Sequence, residues 1–304
     1  MIRLTWLQFR MQAAVAAAAL VLMAAALALT GPHLAHLYDT SGISVCQAHA
    51  GNCTSLSSRF LSQARAGFAD KALLGFGNVM VAAPALVGIF WGAPLIAREF
   101  ETGTYRLAWT QTVTRGRWLV VKLTVVGVAS MAAAGLLSLM LTWWFRSIDL
   151  VNMNLLTPAV FSERGIVPAG YAAFAFALGL TAGVLIRRTL AAMAATLAGF
   201  AAVRLAVTYW VRPHLIPPVQ ASAKVVEGLP GALRLWPAIG PHGPVGVPMT
   251  IPASEVVNSN LHGLVIYQPA SRFWEFQWCE TAIFIAAALI LAGLCFWLIR
   301  RRPS

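Results

Sequence analysis

LTVVGVASMAAAGLLSLMLTWWF, residues 123–145, runs for 23 positions without a charge and is bracketed by Lys122 and Arg146. At a rise of about 1.5 Å per residue, a helix of this length reaches about 35 Å, enough to cross the roughly 30 Å hydrocarbon layer of a bilayer. Lipid offers backbone N–H and C=O groups no partner, so the run must satisfy its own, and helix is the conformation that does so within one segment.

Outward from this run, five others pass the same test: residues 13–30, 72–97, 166–186, 190–211 and 281–299. Only 190–211 carries an internal charge, Arg204. Composition agrees, because 59% hydrophobic and 11% charged residues leave too little polar surface to solvate a globule of 304 residues. The expected fold is all-α integral membrane: a single domain over 1–304 built as a six-transmembrane-helix bundle. The first run resembles a signal peptide at Ala26-Leu27-Ala28, but it exceeds the roughly 7–15 residues of a signal core. Leu4, Trp6, Leu7 and Phe9 before it read as an N-terminal interfacial helix on the membrane surface.

The net charge of +12 would fit nucleic acid, yet the basic residues sit in short clusters between apolar runs, which argues against that partner. Those clusters set the orientation instead. With the N-terminus in the cytoplasm, Arg3, Arg10, Arg98, Arg106, Arg115, Arg117, Lys122, Arg187, Arg188 and Arg300-Arg301-Arg302 all fall inside. Six spans return the C-terminus to the same side. The expectation is a multi-pass plasma-membrane protein with both termini cytoplasmic, in contact with membrane lipid.

Two segments then lie outside, 31–71 and 212–272. The second holds ten of the sixteen prolines, which forbids a continuous helix. This Pro-rich extracellular loop has two readings, a mobile linker or an irregular cap with a short extended stretch at Leu264 to Gln268, and Leu233, Leu235, Trp236, Val245 and Val247 favour the cap by giving it apolar surface to bury. Cys46 and Cys53 share the first outer loop, where an oxidising compartment favours a disulfide. His33, His36 and His49 lack fixed spacing for a metal and read as surface residues, so no metal is expected.

Small residues recur at four-residue spacing in Gly88 and Gly92 and in Ala175, Gly179 and Gly183, a pattern that lets helices approach closely. Packing within the subunit and a dimer seam are both open to it. Arg204 has three readings: snorkelling to headgroups, pairing with an acid such as Glu280, or lining a polar cavity. Phe273, Trp274, Phe276 and Trp278 before the last span form an aromatic belt.

The loop 98–117 holds the two acids of the inner side, Glu99 and Glu101, beside a span with Pro94 near its end, followed by basic and aromatic residues at roughly helical spacing. A headgroup-anchoring linker explains the bases and aromatics. It does not explain acids concentrated at a span's mouth, where a carboxylate can cap a helix or meet a partner's base.

In Ala97-Arg98-Glu99-Phe100-Glu101-Thr102-Gly103-Thr104, in Val113-Thr114-Arg115 followed by Lys122, and in Tyr267-Gln268-Pro269-Ala270-Ser271-Arg272-Phe273-Trp274, the chain resembles permease subunits of type-2 ATP-binding-cassette exporters, particularly the alanine-rich permeases of actinobacteria. The resemblance runs nearly end to end. The family usually has a proline before a Val-Ser-Arg element, where this chain has Thr112 and then Thr114 in place of serine. It implies a cytoplasmic coupling helix after the second span, docked on a separate ATPase. Arg98, Glu99, Glu101, Gly103, Thr104, Arg106 and Arg115 would be its docking and hinge positions. It also implies two copies of the ATPase, which carry the ATP and magnesium, and a second permease copy or a paralogue.

The residues supply a check. A phosphate-binding loop needs Gly-Lys-Ser/Thr, yet Lys71, Lys122 and Lys224 are the only lysines and none follows a glycine. A transport subunit without its own ATPase site, and without a cofactor, is therefore expected, exporting a hydrophobic or amphipathic cargo such as an antibiotic, lipid or peptide. The rival readings are an ATP-independent channel, sensor or assembly anchor, and an intramembrane enzyme. The enzyme lacks support, since no His-Glu-x-x-His element or clustered aspartates are present.

Overall fold

A computed structural model describes residues 2–49, 53–66, 79–104, 114–152, 155–222, 233–240, 243–248 and 264–301. Among them, six helices are long and apolar enough to cross a membrane. They are α1 (Ile2–Thr40), α4 (Val79–Thr102), α5 (Arg115–Asn152), α7 (Val167–Ile186), α8 (Thr189–Leu215) and α9 (Phe273–Arg301). Shorter helices α2 (Ile43–Ala48), α3 (Thr54–Ala66) and α6 (Pro158–Glu163) complete the set.

Most spans outrun the hydrocarbon layer. No break separates the expected surface helix from the first span, because Ile2 to Thr40 is one helix with Pro32 inside it. The segment expected as the first outer loop is consequently mostly helical where it is described, in the end of α1, α2 and α3. Once nucleated, a helix gains a hydrogen bond for each residue it adds, so it does not stop where the hydrophobic run stops.

The centre of the bundle is α7, nearly all of whose residues are buried. α4, α5, α8 and α9 surround it. α4 lies closest. A Cβ added to Gly88 or Gly92 would sit 2.6 Å from the carbonyl of Ala175 or Phe176, and one on Gly179 would sit 2.3 Å from the Gly88 carbonyl. The two small-residue faces therefore meet each other within one chain, and only glycine permits this backbone approach.

That contact coincides with an irregularity. Gly88–Gly92 forms a π turn, closed by Ala93 N–H on the Gly88 carbonyl, and Pro94 follows. Val207–Val211 in α8 is a second π turn, closed by Arg212 N–H on the Val207 carbonyl and followed by Pro213. In each case the wider turn comes just before a residue that cannot donate a backbone hydrogen bond. The Phe90 carbonyl, four residues before Pro94, accepts instead from Gln12 of α1 at 3.1 Å.

Beyond α8 the chain forms a four-stranded antiparallel sheet, order β1-β4-β2-β3, from Val219–Ser222, Leu233–Gly240, Gly243–Pro248 and Leu264–Gln268 in order β1 to β4. The register pairs Val219 with Tyr267, Leu233 with Gln268 and Trp236 with Val247. The one extended stretch read from the sequence is β4. Hence the bundle has a sheet end and an opposite, basic end.

Candidate functional site

At the basic end, the last turn of α4 is tied to two other spans. Glu99 accepts from the Lys122 ammonium of α5 at 2.5 Å, and this lysine, 1% exposed, also lies 4.6 Å over the Trp118 ring. Glu101, though exposed, accepts from the Thr189 hydroxyl at the start of α8. Thr102 Oγ1 is 3.0 Å from Thr104 Oγ1, and Gly103, at φ 71°, ends the helix in the left-handed region that glycine enters without a Cβ clash. Phe9, Trp91, Ile96, Trp118 and Ile299 form an apolar plug behind this foot.

Arg98 is exposed and lines a cleft between α1 and α4 rather than the turn at Gly103. Arg187, at φ 58°, puts its guanidinium over Phe100. Arg106 lies outside the described residues, as does the side chain of Arg115, and so do residues 105–113 of the expected coupling segment 98–117.

The sheet end holds a buried network. Arg212 grips Glu280 with two hydrogen bonds, Nε to Oε2 at 2.7 Å and Nη2 to Oε1 at 2.8 Å. The Tyr171 hydroxyl donates to Glu280, and Arg212 Nη2 also reaches Ser162 Oγ and Tyr171 Oη, each at 3.2 Å. Phe161 covers the guanidinium at 4.3 Å. Glu280 is 0% and Arg212 6% exposed, so each charge needs the other.

The acid expected as a partner for Arg204 is thus taken by Arg212. Arg204 donates to the Val81 carbonyl at 2.8 Å and lies 5.1 Å over the Tyr171 ring. The sequence alone places Arg212 as the first residue of the outer loop and Lys122 among the inner bases and the motif residues, and points to neither as the partner of an acid. The signal for Arg212 was depth: it closes the fifth span as Glu280 opens the sixth, which puts opposite charges at one level.

Around this pair, Gln277 Oε1 accepts from the Ile166 and Val167 amides at 3.0 and 3.1 Å, capping the start of α7. Arg164 contacts Asp149 at 3.2 Å and stacks 3.9 Å from the Phe145 ring. Burial pushes the neighbouring Glu163 carboxyl above its ordinary range, and nearby Arg164 offsets only part of that. The four expected belt aromatics divide by helical face: Phe273 and Phe276 are buried, Trp274 and Trp278 exposed. Cys46 and Cys53 are joined by a disulfide, with Cα atoms 5.9 Å apart. Among the described residues no cluster of histidine, cysteine or carboxylate has the arrangement to hold a metal ion.

The chain is thus a polytopic helical bundle with a buried charge pair, Arg212 and Glu280, at one end and an acidic helix foot tied to Lys122 at the other. Residues 17–212 match the family described as ABC-2 membrane transporter related, and the chain belongs to that family. It is accordingly a multi-pass permease of an ABC-type transporter, whose ATPase is a separate subunit. No curated protein and no solved structure matches the chain.

Proposed function

We propose that this permease is an exporter subunit that takes mechanical work from its ATPase through the foot of α4. The observation that carries the reading is the double tether at that foot: Glu99 to Lys122 of α5 and Glu101 to Thr189 of α8. A push on the turn after Gly103 then displaces three spans as a body, because α4 cannot tilt alone without breaking a buried ion pair. α7 follows through its glycine contact with α4. In this scheme the foot and both termini are cytoplasmic, two ATPases drive two permease chains in the plasma membrane, and rigid-body tilting opens an outward path. Apolar surfaces between the spans suit a hydrophobic or amphipathic cargo.

The test uses the full chain co-reconstituted with its ATPase, following ATP hydrolysis and movement of a fluorescent phospholipid. Glu99→Ala with Glu101→Ala is expected to lose co-purification of the ATPase, or to keep hydrolysis while transport stops. Normal coupling in that variant would remove the foot from the mechanism.

A further inference from the structure

Between α1 and α4, floored by α5, lies a cleft of about 670 Å³, within the roughly 300–1,000 Å³ typical of small-molecule sites. Its walls are aliphatic and aromatic: Val15, Leu20, Leu86, Phe90, Ala83 and Leu137 among others. Gln12 also lines the cleft and donates one amide N–H to the Phe90 carbonyl. The cleft reaches from Met11 to Met23 along α1. At about 1.5 Å per residue that is about 18 Å, close to one leaflet of a roughly 30 Å hydrocarbon layer.

One charge lines it, Arg98, at the basic end. The acids beside Arg98 in sequence are committed elsewhere, Glu99 to Lys122 and Glu101 to Thr189. Among the described residues no carboxylate lies within ion-pair distance of Arg98. An apolar slot one leaflet deep, with an uncompensated guanidinium at its mouth, matches a single chemistry.

We infer that the α1/α4 cleft binds an anionic phospholipid, an acyl chain lying along Val15, Leu86 and Phe90 and the phosphate held by Arg98. A second copy of the chain is the poorer occupant. A two-fold interface must be self-complementary, whereas this face is concave and carries an unpaired cation. The inference goes beyond the transport reading and needs no ATPase, so either can fail without the other.

The purified full-length chain is equilibrated with an equimolar mixture of phosphatidylglycerol and phosphatidylcholine, and bound lipid is counted by native mass spectrometry. The wild type is expected to prefer phosphatidylglycerol by about fivefold, the effect of one basic side chain at an anionic membrane surface. Arg98→Gln should abolish the preference and Arg98→Lys should keep most of it. Ala83→Trp, which fills the slot, should lower retention of both lipids. Equal retention of the two lipids by the wild type, or an unchanged preference in Arg98→Gln, would overturn the inference. So would near-complete intermolecular crosslinking of Ala83→Cys, which would put a second copy in the cleft.

Discussion

Removing Glu280 is the most severe single perturbation of the sheet end. Glu280→Ala deletes two hydrogen bonds from Arg212, at 2.7 and 2.8 Å, and the acceptor of the Tyr171 hydroxyl, while leaving the 6%-exposed guanidinium in place. Stranding one partner of a buried ion pair costs about 3–5 kcal/mol. Ser162 and the face of Phe161 remain as contacts, which favours the lower half of that range. Arg212→Met with Glu280→Met removes both charges and restores apolar volume, so it should cost less than either single truncation. The resulting coupling should be about 2 kcal/mol or more. Unfolding of the wild type, Arg212→Met, Glu280→Met and the double variant in one detergent, monitored by steric trapping, supplies the double-mutant cycle, with Glu280→Ala measured beside them. A Glu280→Ala loss below about 0.5 kcal/mol, or strictly additive singles, would mean that solvent reaches the pair and that its role as a clamp is misjudged.

Gly179→Ala should destabilise by about 1–3 kcal/mol, because the new methyl would meet the Gly88 carbonyl at 2.3 Å. Gly135→Ala, with nothing within 4 Å, should be neutral or stabilise by up to about 1 kcal/mol, and thermal melts of the two variants in one detergent compare them. Replacing Cys46 and Cys53 by serine opens a short loop and should cost about 2.5 kcal/mol by chain entropy; after reduction, an impermeant maleimide should label the native pair only from the outer side of oriented vesicles. For Glu163 the sign is fixed by burial: a carboxyl raised in the folded state binds protons that the unfolded chain releases, so stability falls as pH rises above the ordinary value of 4.5. Glu163→Gln should flatten that slope in melting curves taken across acid to neutral pH, and an unchanged slope would reassign it to other groups.

The six spans were legible because hydrocarbon thickness imposes one crude length on each, and a charge-free run of 23 residues satisfies it without reference to any neighbour. The fourth span, read as 166–186 and found as Val167–Ile186, was legible at both ends, but most of the other ends were not. α5 begins at Arg115 and α9 at Phe273, since polar residues extend a helix into the headgroup region as readily as apolar ones. The glycine faces were visible as a pattern, but choosing between internal packing and a dimer seam needed the distance from Gly179 to Gly88. At the basic end, Glu99 and Glu101 stood out by their isolation, whereas their partners Lys122 and Thr189 looked ordinary. Arg212 was hidden by Pro213, which reads as a helix stop and here lies in a final turn. The sheet was hardest, because proline-rich strands lack the alternation that marks a half-buried surface.

The π turn at Val207–Val211 fits one residue more than an α turn would. Each residue advances about 100° around the axis, so everything past Val211 is turned by that angle relative to an uninterrupted helix. Arg212 is the first side chain beyond it, and without the offset it would point about a quarter-circle away from Glu280. A single inserted residue thus acts as a phase shift, deciding whether two opposite charges neutralise each other between helices or stand apart against the lipid.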